Sequence, residues 1–171
     1  LQPSVSTEEF VRLVNQHRFI LFKLSNLYCQ PGPDREDLFQ EIIVQLWKAY
    51  PNFRGESKFS TWLYRVALNT AISGLRKEKK RFATLGPENL PAQEPDIQYE
   101  QEQDEQLLQL YVAINQLTAI ERALVMLYLD DKSYQEMEEI LGINENSLRV
   151  KMNRIKEKLR KLTKEADHGI R

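Results

Sequence analysis

The sequence predicts an all-α protein of two small helical domains joined by an acidic linker, the C-terminal domain containing a helix-turn-helix. Three observations predict it. Apolar residues recur at helical spacing through most of the chain, and no stretch of any length alternates as a strand would. Residues 82–105 carry seven acids, no base and three prolines (Pro87, Pro91, Pro95), the composition of a spacer rather than of a packed element. Residues 133–156 read as helix, tight turn and second helix, the second rich in Arg and Lys. The expected organisation is therefore a domain over residues 1–81, a linker over 82–105 and a domain over 106–171. Each domain is small enough that its core is only marginally stable alone.

The elements follow in order. Ser6 and Glu9 form a capping box that opens a helix over residues 7–28. The cluster Gln30-Pro-Gly-Pro33 breaks it. Asp34 is the expected N-cap of a second helix, residues 35–50, which Pro51 terminates. A loop with Gly55 leads into a third helix over residues 58–81. In the second domain, helices are expected near 106–116, 119–131, 134–141 and 145–164. Ser133 and Glu136 cap the third of these, and Gly142 ends it in a left-handed turn. Asn144 or Asn146 caps the last.

Composition narrows the function classes. With 42% apolar and 29% charged residues, the chain is an ordinary soluble globular one. Its longest apolar run, residues 123–129, is far too short to span a bilayer, so no membrane insertion is expected. A single cysteine, Cys29, excludes an internal disulfide and fits a reducing cytoplasm. Cys29 and the distant His17 and His168 make no metal set. There is no Gly-rich phosphate loop and no nucleophile–base spacing, so neither an enzyme nor a cofactor is expected. The net charge of −1 excludes a blanket polyanion binder, yet the charge is sorted. Residues 76–81 hold five bases and one acid, and residues 143–164 hold eight bases and two acids, on either side of the acidic stretch. That sorting suits two nucleic-acid surfaces and a spacer, although charge by itself favours three solvated faces.

At roughly 100° per residue the helix faces separate. In the second helix Leu38, Phe39, Ile42, Ile43, Leu46, Ala49 and Tyr50 share a core stripe. Val44 and Trp47 fall on the other side, beside Asp37, Gln40 and Glu41. Apolar side chains among acids and amides suggest a protein-binding patch. The alternative is that Trp47 packs on another helix of its own domain. The third helix is apolar on two flanks, Leu63, Val66 and Ala67 on one and Tyr64, Leu68 and Leu75 on the other. Between them runs a strip of Lys58, Trp62, Arg65, Asn69, Ser73, Arg76 and Lys80, roughly 80° wide. Here the Trp62 ring could stack on an unpaired base, Asn69 could bond a base edge, and the bases could neutralise phosphates. The loop Phe53, Arg54, Gly55, Glu56, Ser57 could wall a pocket for a flipped base. A core Trp with a solvated basic helix end is the plainer alternative. In the last helix Leu148, Met152, Ile155, Leu159 and Leu162 form the core stripe. Asn146, Arg149, Val150, Asn153 and Arg154 point away, with Ser147 and Lys151 at the margins. Arg149 is placed to reach guanine, Asn146 or Asn153 adenine, and Val150 a thymine methyl.

On these residues the sequence resembles the extracytoplasmic-function group of bacterial RNA polymerase sigma factors, over nearly the whole chain. The stretch Asp37-Leu-Phe-Gln40-Glu41-Ile-Ile-Val44-Gln-Leu-Trp47 is similar to the helix that docks on the polymerase β′ clamp helices. The stretch from Phe53 through Ser57 and Trp62 to Asn69 is similar to the promoter-melting and −10-reading segment. Residues 133–160 are similar to the −35-reading helix-turn-helix. The resemblance implies that Gln40 and Glu41 hold the clamp, that Phe53 through Ser57 with Trp62 and Asn69 form the −10 pocket, and that Arg149, Lys151 and Arg154 serve the −35 helix. It also implies the partners, which are core polymerase through the β′ clamp and the β flap, promoter DNA and an anti-sigma factor in a bacterial cytoplasm. Three positions depart from the family pattern: Glu138 where a small Ala commonly packs between the motif helices, Asn146 where Gly is common, and Val150 where Ser or Thr is common.

By the same resemblance the linker would thread the polymerase channel, its acids mimicking RNA or single-stranded DNA. In the free protein those acids would screen the basic surfaces and suppress DNA binding without polymerase. The competing reading is a stand-alone helix-turn-helix regulator with an N-terminal sensing or dimerising domain. It leaves Trp47 and the strip from Trp62 to Asn69 without a purpose.

Overall fold

The computed structural model describes residues 7–29, 32–85 and 105–168, and among them the chain is helical with no strand. It divides into two compact units, Leu1–Asp96 and Ile97–Arg171. The expected cap at Ser6, the break at Gln30 and Pro31, and the linker between residues 86 and 104 lie outside the described residues.

The first unit holds α1 (Thr7–Gln16), α2 (Arg18–Tyr28), α3 (Pro33–Ala49), a 3₁₀ turn (Tyr50–Asn52) and α4 (Phe59–Leu85). A single helix over residues 7–28 was expected, and the structure divides it at His17. The imidazole Nδ1 of His17 donates to the Leu13 carbonyl at 2.9 Å, taking the acceptor that the His17 backbone N–H would use in an unbroken helix. That N–H turns instead to the Val14 carbonyl at 3.1 Å. The start of α3 also differs from expectation. Its N-cap is Gly32 at φ 130°, a conformation open to glycine, and no side chain caps it. Pro33 then presets the first helical residue, and Asp34 and Glu36 lie inside the first turn, where carboxylates oppose the helix dipole. At its far end α4 runs four residues past the expected boundary, because nothing before Gly86-Pro87 breaks it. Residues 82–85 are therefore helix rather than linker. The core sits where α2, α3 and α4 pack pairwise. Leu21, Leu24, Ile42, Leu46, Leu63, Ala67 and Leu68 are there almost wholly removed from water.

The second unit holds α5 (Glu105–Asn115), α6 (Ala119–Leu129), α7 (Tyr134–Leu141) and α8 (Glu145–His168). Its spine is α8, on which α5, α6 and α7 each pack. Leu124, Leu127, Met137, Ile140, Leu148, Met152 and Ile155 fill the space between them. Thr118 and Glu121 cap α6 reciprocally, at 3.3 and 2.8 Å. The same Glu121 oxygen accepts from Lys158 Nζ at 3.1 Å, tying the cap to α8. Burial would raise the Glu121 carboxyl, but the bonds from the Thr118 backbone and Lys158 outweigh it and hold it below the usual range. α6 stops at Leu129, two residues before expectation. Asp131 takes φ 55° there, its N–H bonds the Tyr128 carbonyl at 3.1 Å, and Lys132 N–H bonds Leu127 at 3.0 Å. That pair of bonds is a Schellman motif with Asp in the place glycine usually fills. Among the described residues, no helix is long and apolar enough to cross a membrane.

Candidate functional site

Three surfaces are built on these scaffolds. The first is the outer face of α3. Asp37, Gln40 and Glu41 are exposed there, and Val44 and Trp47 keep 43% and 44% of their surface in water. Trp47 packs on another helix of its own unit and is also exposed. Its indole meets Phe10 of α1 edge-on at 5.0 Å, while nearly half of it faces solvent. Phe10 is buried, so the contact props the ring from beneath and leaves its outer side in solvent. Gln45 Nε2 donates to Glu41 Oε1 at 2.7 Å, which fixes that carboxylate along the helix.

The second surface is the loop over residues 53–57 with the head of α4. Here the structure corrects one expectation. Trp62 is only 8% exposed and offers no stacking face. Its ring lies among Phe53 at 5.1 Å, Phe59 at 5.3 Å and Tyr50 at 6.2 Å. The angular reading places Trp62 at the head of the strip, and further along the helix the strip is exposed as that reading expects. Arg65, Asn69, Ser73, Arg76 and Lys80 are exposed, and Lys58 precedes them. The first turn differs because the 3₁₀ turn and the loop fold back over it. Phe53 and Ser57 are consequently half-buried, and Arg54, Gly55 and Glu56 stand out from the loop. What the surface presents is an apolar floor with polar groups around it. Arg65 and Asn69 supply the donors and acceptors, and Arg76 and Lys80 carry positive charge down the helix.

The third surface is the α7–α8 pair. Ser133 Oγ accepts from the Glu136 N–H at 3.1 Å, and Glu136 Oε2 accepts from the Ser133 N–H at 2.9 Å, as the spacing predicts. Gly142 is left-handed at φ 68°, with its N–H on the Glu138 carbonyl at 2.8 Å. Of the two candidate caps of α8, Asn144 takes the role, its Oδ1 accepting from Ser147 N–H at 2.9 Å. Asn146 is thereby left exposed on the outer face with Arg149, Lys151, Asn153 and Arg154, and Ser147 lies at the margin. Val150 is 49% exposed in their midst. Leu148, Met152 and Ile155 point inward and are fully buried.

Sequence reasoning missed several supporting residues. The Thr118–Glu121 box has the same spacing as the box at Ser133 and could have been read. The carboxylate of Glu138 accepts from the Glu145 N–H at 3.1 Å, bridging from α7 to the first turn of α8. The ring of Tyr134 lies 4.4 Å beneath the Arg149 guanidinium, which also bonds Glu145 Oε2 at 3.2 Å. The Glu145–Arg149 pair has the i,i+4 spacing of a helix and could have been read, whereas the contacts from Glu138 and Tyr134 join α7 to α8 and no local pattern announces them.

Comparison with known proteins agrees with this layout. Residues 13–81 match Sigma-70 region 2, and residues 107–159 match Sigma-70 region 4. The ECF RNA polymerase sigma factor SigX of Bacillus subtilis is 30% identical over 163 residues, covering 90% of this chain and 83% of that protein. SigG of Mycobacterium tuberculosis is 46% identical over 65 residues, covering 37% of this chain and only 18% of its own length. The sigma-E factor of Escherichia coli K12 is 38% identical over 72 residues, 42% of this chain and 37% of its own. Among solved structures, the sigma factor RpoE of Bartonella quintana, in complex with the anti-sigma factor NepR, shares the fold. It has a TM-score of 0.77 at 20% identity and covers 92% of this chain and 98% of its own. With the extended match to SigX and both regions in order, the chain belongs to the extracytoplasmic-function RNA polymerase sigma factors.

Proposed function

We propose that this chain binds core RNA polymerase, directs it to promoters and helps open them, with no catalytic activity of its own. The α3 face of Asp37, Gln40, Glu41, Val44 and Trp47 docks on the β′ clamp helices, and the second unit meets the β flap. The exposed face of α8 reads the −35 duplex. Arg149, Lys151 and Arg154 engage guanine and phosphates, Asn146 and Asn153 reach adenine, and Val150 contacts a thymine methyl. The loop over residues 53–57 and the head of α4 take the −10 region. A captured base rests against the loop, and Arg65 and Asn69 hydrogen-bond its edge. Trp62 forms the floor of that pocket from inside the core rather than stacking on the base. Melting is then driven by binding, because capturing an unstacked base offsets the few kcal/mol of unpairing it. The polymerase performs the chemistry. Partnership with an anti-sigma factor and action in the bacterial cytoplasm follow from the same family reading.

The observation that carries this reading is the half-exposed Val44–Trp47 pair, set among carboxylates and amides on α3 and propped by Phe10. A stand-alone DNA-binding regulator has no use for it. The test is co-elution of the chain with purified core polymerase. The wild type is expected to co-elute and the Gln40→Ala/Glu41→Ala variant to be lost from the complex at equal folded content. A variant that co-elutes as fully as the wild type would remove α3 from the interface.

A further inference from the structure

Arg149 stands apart from the other exposed residues of α8. Among the described residues, Asn146, Lys151, Asn153 and Arg154 make no side-chain bond that fixes them, whereas Arg149 is held from two directions. Its Nη2 donates to Glu145 Oε2 at 3.2 Å, and its guanidinium lies 4.4 Å over the ring of Tyr134. Tyr134 belongs to α7 and Glu145 opens α8, so the clamp spans both motif helices. Glu145 is anchored in turn, its backbone N–H bonded to the Glu138 carboxylate at 3.1 Å. The result is a chain of contacts: Glu138 to Glu145, Glu145 to Arg149, Arg149 to Tyr134.

An exposed ion pair four residues apart and an exposed cation over a half-buried ring contribute little to folding. The Arg149 and Glu145 side chains are 56% and 39% exposed, so screening weakens the pair further. Their consequence is geometric. A free arginine loses rotamer freedom when it binds, and a held one has already lost most of it. Glu145 occupies only one edge of the fork, leaving further donors of the guanidinium for the O6 and N7 acceptors of a guanine.

We infer that Tyr134, Glu145 and Glu138 are positioning residues that preset Arg149 as the chief specificity determinant of the −35 contact, at one guanine. This rests on the reading of α8 as the duplex-reading helix. Glu138 replaces the usual small residue because it supplies the cap that fixes Glu145.

The test uses the full chain assembled with core polymerase and a library of duplexes randomised across the −35 element, scoring relative binding at every base pair. Arg149→Ala is expected to abolish preference at one G·C pair, by on the order of tenfold. Tyr134→Leu and Glu145→Ala are expected to weaken preference at that same pair by several-fold and to leave the others in place. Tyr134→Phe, which keeps the ring, should retain it. If Tyr134→Leu and Glu145→Ala instead lower binding evenly across all sequences, or change nothing, the clamp is merely structural and the inference fails. It fails equally if Arg149→Ala removes no single-pair preference while the wild type discriminates. A wild type that discriminates at no base pair would overturn the reading of α8 itself, and the inference with it.

Discussion

Trp62 sits in the first turn of α4 with the rings of Phe53, Phe59 and Tyr50 around it. A buried indole of this kind holds the loop against the helix. Removing it leaves a cavity, and Trp62→Ala is expected to cost about 3–5 kcal/mol. Trp62→Phe should cost less, because a ring still fills most of the space. Thermal or denaturant unfolding of each variant checks this, with an unchanged stability for Trp62→Ala contradicting the buried placement. The residue also shows what could be read in advance. Spacing put Trp62, Arg65, Asn69 and Arg76 on one face, and the last three are exposed as expected. Spacing carried no information about a loop folding over the helix start, which decides the fate of Trp62. For Val44, Val150, Lys151 and Arg154, no other element folds over the helix face, and all four are exposed as their angles predict.

At the scale of elements, the ends of helices carry the most local information. The box at Ser133 and the stop at Gly142 were readable because capping needs particular side chains at fixed offsets. The break at His17 was not, since an imidazole bonding its own helix leaves no such pattern. Two left-handed helix ends give opposite predictions. A Cβ at Gly142 meets nothing within 4 Å, so Gly142→Ala should cost only the backbone penalty, about 1–2 kcal/mol. Asp131 already bears such a penalty at φ 55°, so Asp131→Gly should stabilise the second unit, by up to about 1 kcal/mol. Equilibrium unfolding of both variants settles the pair, and equal signs would contradict the assigned turns. The cap at Glu121 adds a pH dependence. Its carboxyl is held below the ordinary value, so it favours folding above the unfolded pKa of about 4.3, and that contribution fades as pH falls through the folded value. Glu121→Gln should therefore lower the melting temperature near neutral pH and converge on the wild type in acid. A difference that persists unchanged in acid would mean that the charge is not what matters.

For the whole molecule, charge sorting is the dominant feature. Two basic surfaces flank an acidic stretch in a chain whose net charge is only −1. We propose that in the free protein these acids screen the basic faces and that the screening is lifted when the acids are drawn elsewhere. Deleting residues 86–104 is expected to raise the affinity of the free chain for duplex DNA at low salt, read by titration of a labelled duplex. No rise would show that the acids do not screen. The all-helical class and the helix-turn-helix were readable because helical periodicity and capping are local. The bridge from Glu138 to Glu145 and the prop of Phe10 under Trp47 were not, because each joins residues from different elements. The central claim, that the chain confers promoter choice on polymerase, is tested most directly by run-off transcription. Purified core polymerase is mixed with this chain on a genomic promoter library. The account predicts discrete transcripts from a small set of promoters sharing −10 and −35 elements, absent with core alone. No chain-dependent transcript, together with tight binding of the free chain to a palindrome as a dimer, would contradict it.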